Sequence, residues 1–135
     1  MTIHREQVER WLEDYVAAWK SYDRDAIAAL FSDHVEYRYH PWDEPVRGPD
    51  AVAAAWLGES EPEGASSRDD AGTYDAHYHA FAVEDDLAVA VGQSSYRETP
   101  DGPVTRVFDN CFLLRFDAHG RCSEFTEWFM ERPKP

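Results

Sequence analysis

Cysteine is scarce in this chain, with only Cys111 and Cys122 present. They flank an expected hairpin turn, so a cross-strand disulfide is geometrically open to them, but two buried thiols without a catalytic role are the expected state. Basic residues are also few: 13 Lys and Arg stand against 27 Asp and Glu, a formal net charge of -14. No Lys/Arg cluster exists that could follow a phosphate backbone or an anionic bilayer, which excludes nucleic acid and membrane surfaces as partners. The acid excess reads as a solvated, soluble surface. No apolar run has the length of a signal peptide or a bilayer span, and the opening MTIHREQVERW is polar and amphipathic, so a cytoplasmic protein is expected. Internal repeats are lacking too.

What the chain does have is aromatic bulk. Five Trp, seven Tyr and seven Phe within 43% apolar residues argue against disorder despite 30% charged residues. Its 135 residues suit one folding unit, so 1–135 is read as a single domain.

Val8, Trp11, Leu12, Tyr15, Val16 and Trp19 recur at three- and four-residue steps and place one apolar stripe on a first helix. Asp23 is a cap for a second helix, with Ile27, Leu30 and Phe31 as its buried side before Ser32-Asp33 ends it. His34 to His40 alternates as a half-buried strand stopped by Pro41. Gly48-Pro49-Asp50 opens a short third helix bearing Val52 and Trp56. From Gly58 to Gly72 the composition is that of a loop. Four strands then form a meander: Thr73 to Val83, Leu87 to Arg97, Val104 to Asp117, and Cys122 to Met130. Three helices followed by a long curved sheet predict an α+β fold with the helices on one face.

LEDYVAAWKSYDRDAIAALFSDHVEYRYHP, then RGPDAV, then FDNCFLLRFDAHGRCSEFTEWFM, resembles the nuclear transport factor 2-like (NTF2-like) superfamily, in its SnoaL-like branch, along nearly the whole chain. The resemblance implies an NTF2-like cone: three N-terminal helices on a curved, mixed, mainly antiparallel sheet around a small-molecule pocket. It also implies a homodimer through the outer sheet face, where Thr126 and Trp128 alternate against the pocket set. The superfamily spans isomerases, cyclases, dehydratases, epoxide hydrolases and non-catalytic binders.

YVAAWKSYDRDAIAALF lines up without gaps with the first two helices of ketosteroid isomerases, so Tyr15 matches that family's oxyanion-hole tyrosine. The family's general base falls on His40 if the prolines are aligned, or on Tyr39 without a gap, and neither is a carboxylate. The second oxyanion donor falls on Phe112, with Asn110 on the same face. The Asp-Arg-Asp set of the fold's epoxide hydrolases has no placed counterpart, because Asp23-Arg24-Asp25 is explained by helix capping.

On the gapless frame the pocket face carries Val35, Tyr37 and Tyr39; Val89, Val91 and Gln93; Asn110, Phe112 and Leu114; and Phe125, Glu127 and Phe129. Trp19 and Trp56 from the helices and His79 from the meander complete the set of substrate-binding candidates. Tyr15, His40 and Glu127 are the catalytic candidates: a hydroxyl donor to a developing enolate oxygen, an imidazole that can take a proton or return one, and a carboxyl between two phenylalanines. His77 and His79 lie two apart on one strand face, too few to constitute a metal site, so neither metal nor cofactor is expected. The predicted activity is proton transfer on a small hydrophobic carbonyl or polyketide-like compound, by an isomerase, cyclase or dehydratase. The alternative is a non-catalytic binding or dimerisation module.

Overall fold

The computed structural model describes residues 2–59 and 69–134. Helix α1 (Arg5–Ser21) and helix α2 (Arg24–Ala29) form a hairpin, and strand β1 (Phe31–Arg38) follows at once. A two-residue strand β2 (Val46–Arg47), helix α3 (Pro49–Trp56), and strands β3 (Tyr74–Glu84), β4 (Leu87–Arg97), β5 (Val104–Phe116) and β6 (Cys122–Glu131) complete the chain. The strands make one open sheet in the order β2-β1-β6-β5-β4-β3. Among the described residues only the β1–β6 pair is parallel, a pairing that the long connection through α3 and the meander permits.

Local chemistry accounts for the helix ends. At the start of α1, the His4 N–H donates to the Gln7 side chain at 2.9 Å, half of a reciprocal cap. Tyr22 ends α1 with φ 51°, a left-handed residue that turns the chain toward Asp23. The Asp23 carboxylate then accepts the Asp25 N–H at 2.9 Å, the cap expected from sequence. Phe31 is a correction: it opens β1 instead of extending α2, which ends two residues earlier. The Leu30 carbonyl explains the break, since it receives both the Trp11 indole N–H and the Cys122 backbone N–H at 2.9 Å. A bond from a strand to that carbonyl commits the next residue to the sheet.

Helix α1 lies against the inner face of the sheet with Val8, Trp11, Leu12, Tyr15 and Ala18 buried. Trp11 and Tyr15 stack on one another and meet Phe125, and Tyr15 also meets Phe112 and Trp56. On the parallel β1–β6 pair, Tyr37 sits beside Phe125 with ring centres 4.3 Å apart. Tyr37, Trp56, Phe112 and Phe125 are fully buried in this aromatic plug. They were expected as pocket walls, and they fill the deep end of the cone as core.

The face of β4 is the second correction. Ala88, Ala90 and Ser94 are buried, while Val89, Val91 and Gln93 lie on the opposite face. Gly92 shows why the small residues point inward: a Cβ there would lie 2.1 Å from the His77 carbonyl oxygen and 2.6 Å from the Tyr78 ring. The Tyr78 ring therefore occupies the space over Gly92, its register partner. His77 and His79 project outward with Gln93, and His79 is exposed, so neither Gln93 nor His79 reaches the interior.

The free edge of β3 is met by α1. The Ala80 N–H donates to Glu9 at 2.8 Å, and Arg5 donates to the Ala80 carbonyl. Cys111 and Cys122 are unbonded, on the outer face and in the core respectively. Among the described residues no helix is long and apolar enough to cross a membrane.

Candidate functional site

Between α1 and the sheet, toward the mouth of the cone, lies a cavity of about 70 Å³. Tyr15 and Trp19 from α1, Tyr74 and Tyr78 from β3, Ser94 and Tyr96 from β4, Asn110 from β5, Glu127 from β6, and Asp69 line it. The alternation of β6 places Glu127 inward, opposite Phe112, as its position between Phe125 and Phe129 predicted. The Asn110 amide donates to Glu127 Oε2 at 2.8 Å, and the Ser94 hydroxyl donates to Asn110 Oδ1 at 3.0 Å. Asn110 has both amide ends engaged, so its donor is locked toward the carboxylate.

Burial pushes the Glu127 carboxyl up to about 7, against the lowering effects of the Asn110 hydrogen bond and the nearby His40. One hydrogen bond does not replace the water that a carboxylate loses on burial, which is why desolvation wins. The tyrosines respond in the same sense. Burial first, with contributions from Tyr37 and Glu127, holds the Tyr15 hydroxyl well above its usual range. Burial likewise raises Tyr74 and Tyr78, and pushes Tyr96 up to about 12. All four remain protonated donors at neutral pH, grouped around one carboxyl with a proton affinity near neutrality. The Tyr37 hydroxyl and the Trp56 indole N–H lie deeper and make no regular hydrogen bond among the described residues.

His40 stands at the rim. The chain turns after Arg38, and the His40 ring packs between Trp42, stacked at 4.9 Å, and Phe129 at 5.4 Å. Its Nδ1 lies 2.9 Å from Asp43 Oδ2, which also accepts the His40 backbone N–H at 3.0 Å. Since a carboxylate only accepts, Nδ1 carries the proton and Nε2 is left as the basic atom. Tyr39 keeps to the strand's alternation and packs on Tyr37, with ring centres 4.9 Å apart. Phe129 is on the inner face but 44% exposed, beyond the reach of the helices.

Of the sequence candidates, Tyr15, Trp19, Asn110 and Glu127 meet in the cavity, and His40, Tyr39 and Phe129 form its neighbouring rim. Sequence reasoning missed Tyr74, Tyr78, Ser94 and Tyr96, all on the inner face of β3 and β4, and Asp43 and Asp69 in connecting segments. The signal for the first four was present in the run of Ala88, Ala90, Gly92 and Ser94, small residues at every second position. Such a run marks a face onto which larger side chains lean from the next strand. Asp69 belongs to the loop read from Gly58 to Gly72, of which residues 60–68 lie outside the described residues. Among the described residues no three His, Cys, Asp or Glu side chains gather as a metal set.

Helices on one face of an open, mixed, six-stranded sheet, with a half-buried carboxyl facing them from β6, define an α+β cone of the NTF2-like type. The family profile of the SnoaL-like domain matches residues 12–125. The chain belongs to that family. Solved structures share the fold at low sequence identity. A LEH-like epoxide hydrolase from M. tuberculosis is 15% identical, with a TM-score of 0.61, over 93% of this chain and 84% of that one. A candidate ketosteroid isomerase from Kribbella flavida is 14% identical, with a TM-score of 0.64, over 97% and 83%. No curated protein matches the chain.

Proposed function

We propose that this SnoaL-like domain binds a small hydrophobic carbonyl compound and moves a proton at its α-carbon without a cofactor. The observation that carries this reading is Glu127: a half-buried carboxyl lining a small cavity, held by Asn110 and brought to about 7. A base of that strength is half ionised at neutral pH and able both to take and to return a proton. Tyr15, a protonated donor lining the same cavity, is suited to the enolate oxygen that forms when the α-proton leaves. His40, oriented by Asp43, lies close enough to Glu127 to lower its proton affinity and is the candidate that relays protons to solvent. The similarity to a candidate ketosteroid isomerase and to an epoxide hydrolase agrees with small-molecule chemistry in this cone without naming the substrate.

The test is α-proton exchange in heavy water with a panel of enolisable ketones, followed by proton NMR. Exchange above the buffer rate is expected, with Tyr15→Phe about 10²-fold slower, the usual scale for one oxyanion donor. If no ketone exchanges faster than in buffer, the proton-transfer reading is wrong and the domain is a binding module.

A homodimer through the outer sheet face is part of this proposal. Leu113 and Trp128 are 45% and 42% exposed there, and Val89, Val91, Cys111 and Thr126 lie between and beside them in register. A contiguous apolar face of this kind suits a second copy of the same surface. Sedimentation should give a dimer for the wild type and a monomer for Leu113→Glu. A wild type that sediments as a monomer at high micromolar concentration removes the dimer.

A further inference from the structure

Glu127 is not the only carboxyl on the cavity. Asp69 lines it from the mouth side, and also lines the two wider clefts outside, of about 320 and 480 Å³, which it shares with Trp19. A space of about 70 Å³ holds only a few water-sized groups, so a fragment bound in it is within reach of both carboxyls. The two have different surroundings. Glu127 rises from the sheet floor and accepts from the Asn110 amide. Asp69 is fixed by Tyr22: the Asp69 N–H donates to the Tyr22 hydroxyl at 2.8 Å, and that hydroxyl donates to Asp69 Oδ2 at 3.3 Å. Tyr22 can do this because the left-handed turn after α1 aims it at the mouth. Partial burial raises the proton affinity of Asp69, opposed by the Tyr22 bond. Tyr96, on the same cavity, is influenced by both charges.

We propose that Asp69 is a second catalytic residue, a general acid lining the same cavity as Glu127, which makes the site suited to eliminating water from a β-hydroxy carbonyl compound. The inference rests on the reading of Glu127 as the base. Glu127 takes the α-proton, and the C–H electron pair becomes the new C=C bond. The β-carbon to oxygen bond breaks, and the leaving oxygen takes the Asp69 proton and departs as water. Glu127 ends protonated and Asp69 ionised. Asp69, open to the outer clefts, recovers a proton from solvent, and Glu127 returns its own to solvent, so the balance closes as ketol to enone plus water. An isomerase needs one group to carry a proton from one carbon to another; two carboxyls on one cavity fit elimination better.

Two probes separate this inference from the reading beneath it: benzylacetone for α-exchange in heavy water, and the β-hydroxy ketone formed from acetone and benzaldehyde for elimination to the enone, read by absorbance. The wild type should do both. Asp69→Asn should lower the ratio of elimination to exchange by about 10²-fold, in the range of one acid–base group, and Asp69→Glu should restore part of it. Unchanged cooperative unfolding of each variant checks the fold. A ratio unmoved by Asp69→Asn overturns the role of Asp69. A wild type that exchanges without eliminating overturns it too and leaves Glu127 as the base, whereas a wild type that does neither removes both.

Discussion

Glu127→Gln will exchange α-protons about 10³-fold more slowly than the wild type, while gaining stability above neutral pH. Both effects have one origin. The Gln side chain keeps a carbonyl oxygen for the Asn110 amide, so packing and the hydrogen bond survive, but it cannot take a proton. The wild-type rate should rise with pH through about 7, where the carboxyl ionises, and level off above. Stability should move the opposite way. The folded carboxyl titrates at about 7 and the unfolded one near 4.5, so between those values the unfolded chain sheds the proton first. The folded state then loses stability progressively as pH rises from about 4.5 to about 7, by an amount on the order of 3 kcal/mol, and stays lowered above. Glu127→Gln removes that loss, so its advantage in urea unfolding should be present at pH 8 and absent at pH 4. A rate that falls through pH 7, or a variant no more stable at pH 8, would show that Glu127 is not the buried base.

Trp56→Ala is expected to cost about 3–5 kcal/mol of folding stability, the range for truncating a fully enclosed aromatic side chain. Trp56 has no exposed surface and meets Tyr15, Trp19, Phe31 and Tyr37. Its stack on Trp19, at 4.1 Å and 16°, holds the residue that lines both the cavity and the outer clefts. Activity should therefore drop with stability. Trp56→Phe makes the contrast informative: it keeps an aromatic ring and removes an indole N–H that makes no regular hydrogen bond among the described residues. Since an unpaired buried donor is itself costly, this variant should lose less than half as much. Urea midpoints at unchanged slope measure both. A loss under about 1 kcal/mol for Trp56→Ala would mean the aromatic plug is not closely packed.

The particular residues show which parts of the molecule sequence can display. Helix α1 was plain because its apolar residues keep a helical period, and Glu127 was placed inward because β6 alternates. The β4 register was not, because both of its faces are apolar enough to be buried. Val89 and Val91 carry more hydrophobic surface than Ala88 and Ala90, so hydrophobicity alone chose the wrong face. The deciding factor was steric and non-local: the Tyr78 ring needs the absence of a side chain at Gly92. Asp43 and Asp69 escaped for another reason, since each lies in a connecting segment with no period to read and finds its partner only through the fold.

Ala80 offers its backbone N–H and carbonyl at the open edge of β3, and Glu9 and Arg5 occupy both. Two side chains of one helical turn thus stand in for the neighbouring strand that an edge would otherwise recruit. At Ala80 the edge is in this way closed to a strand that would otherwise add to the sheet there.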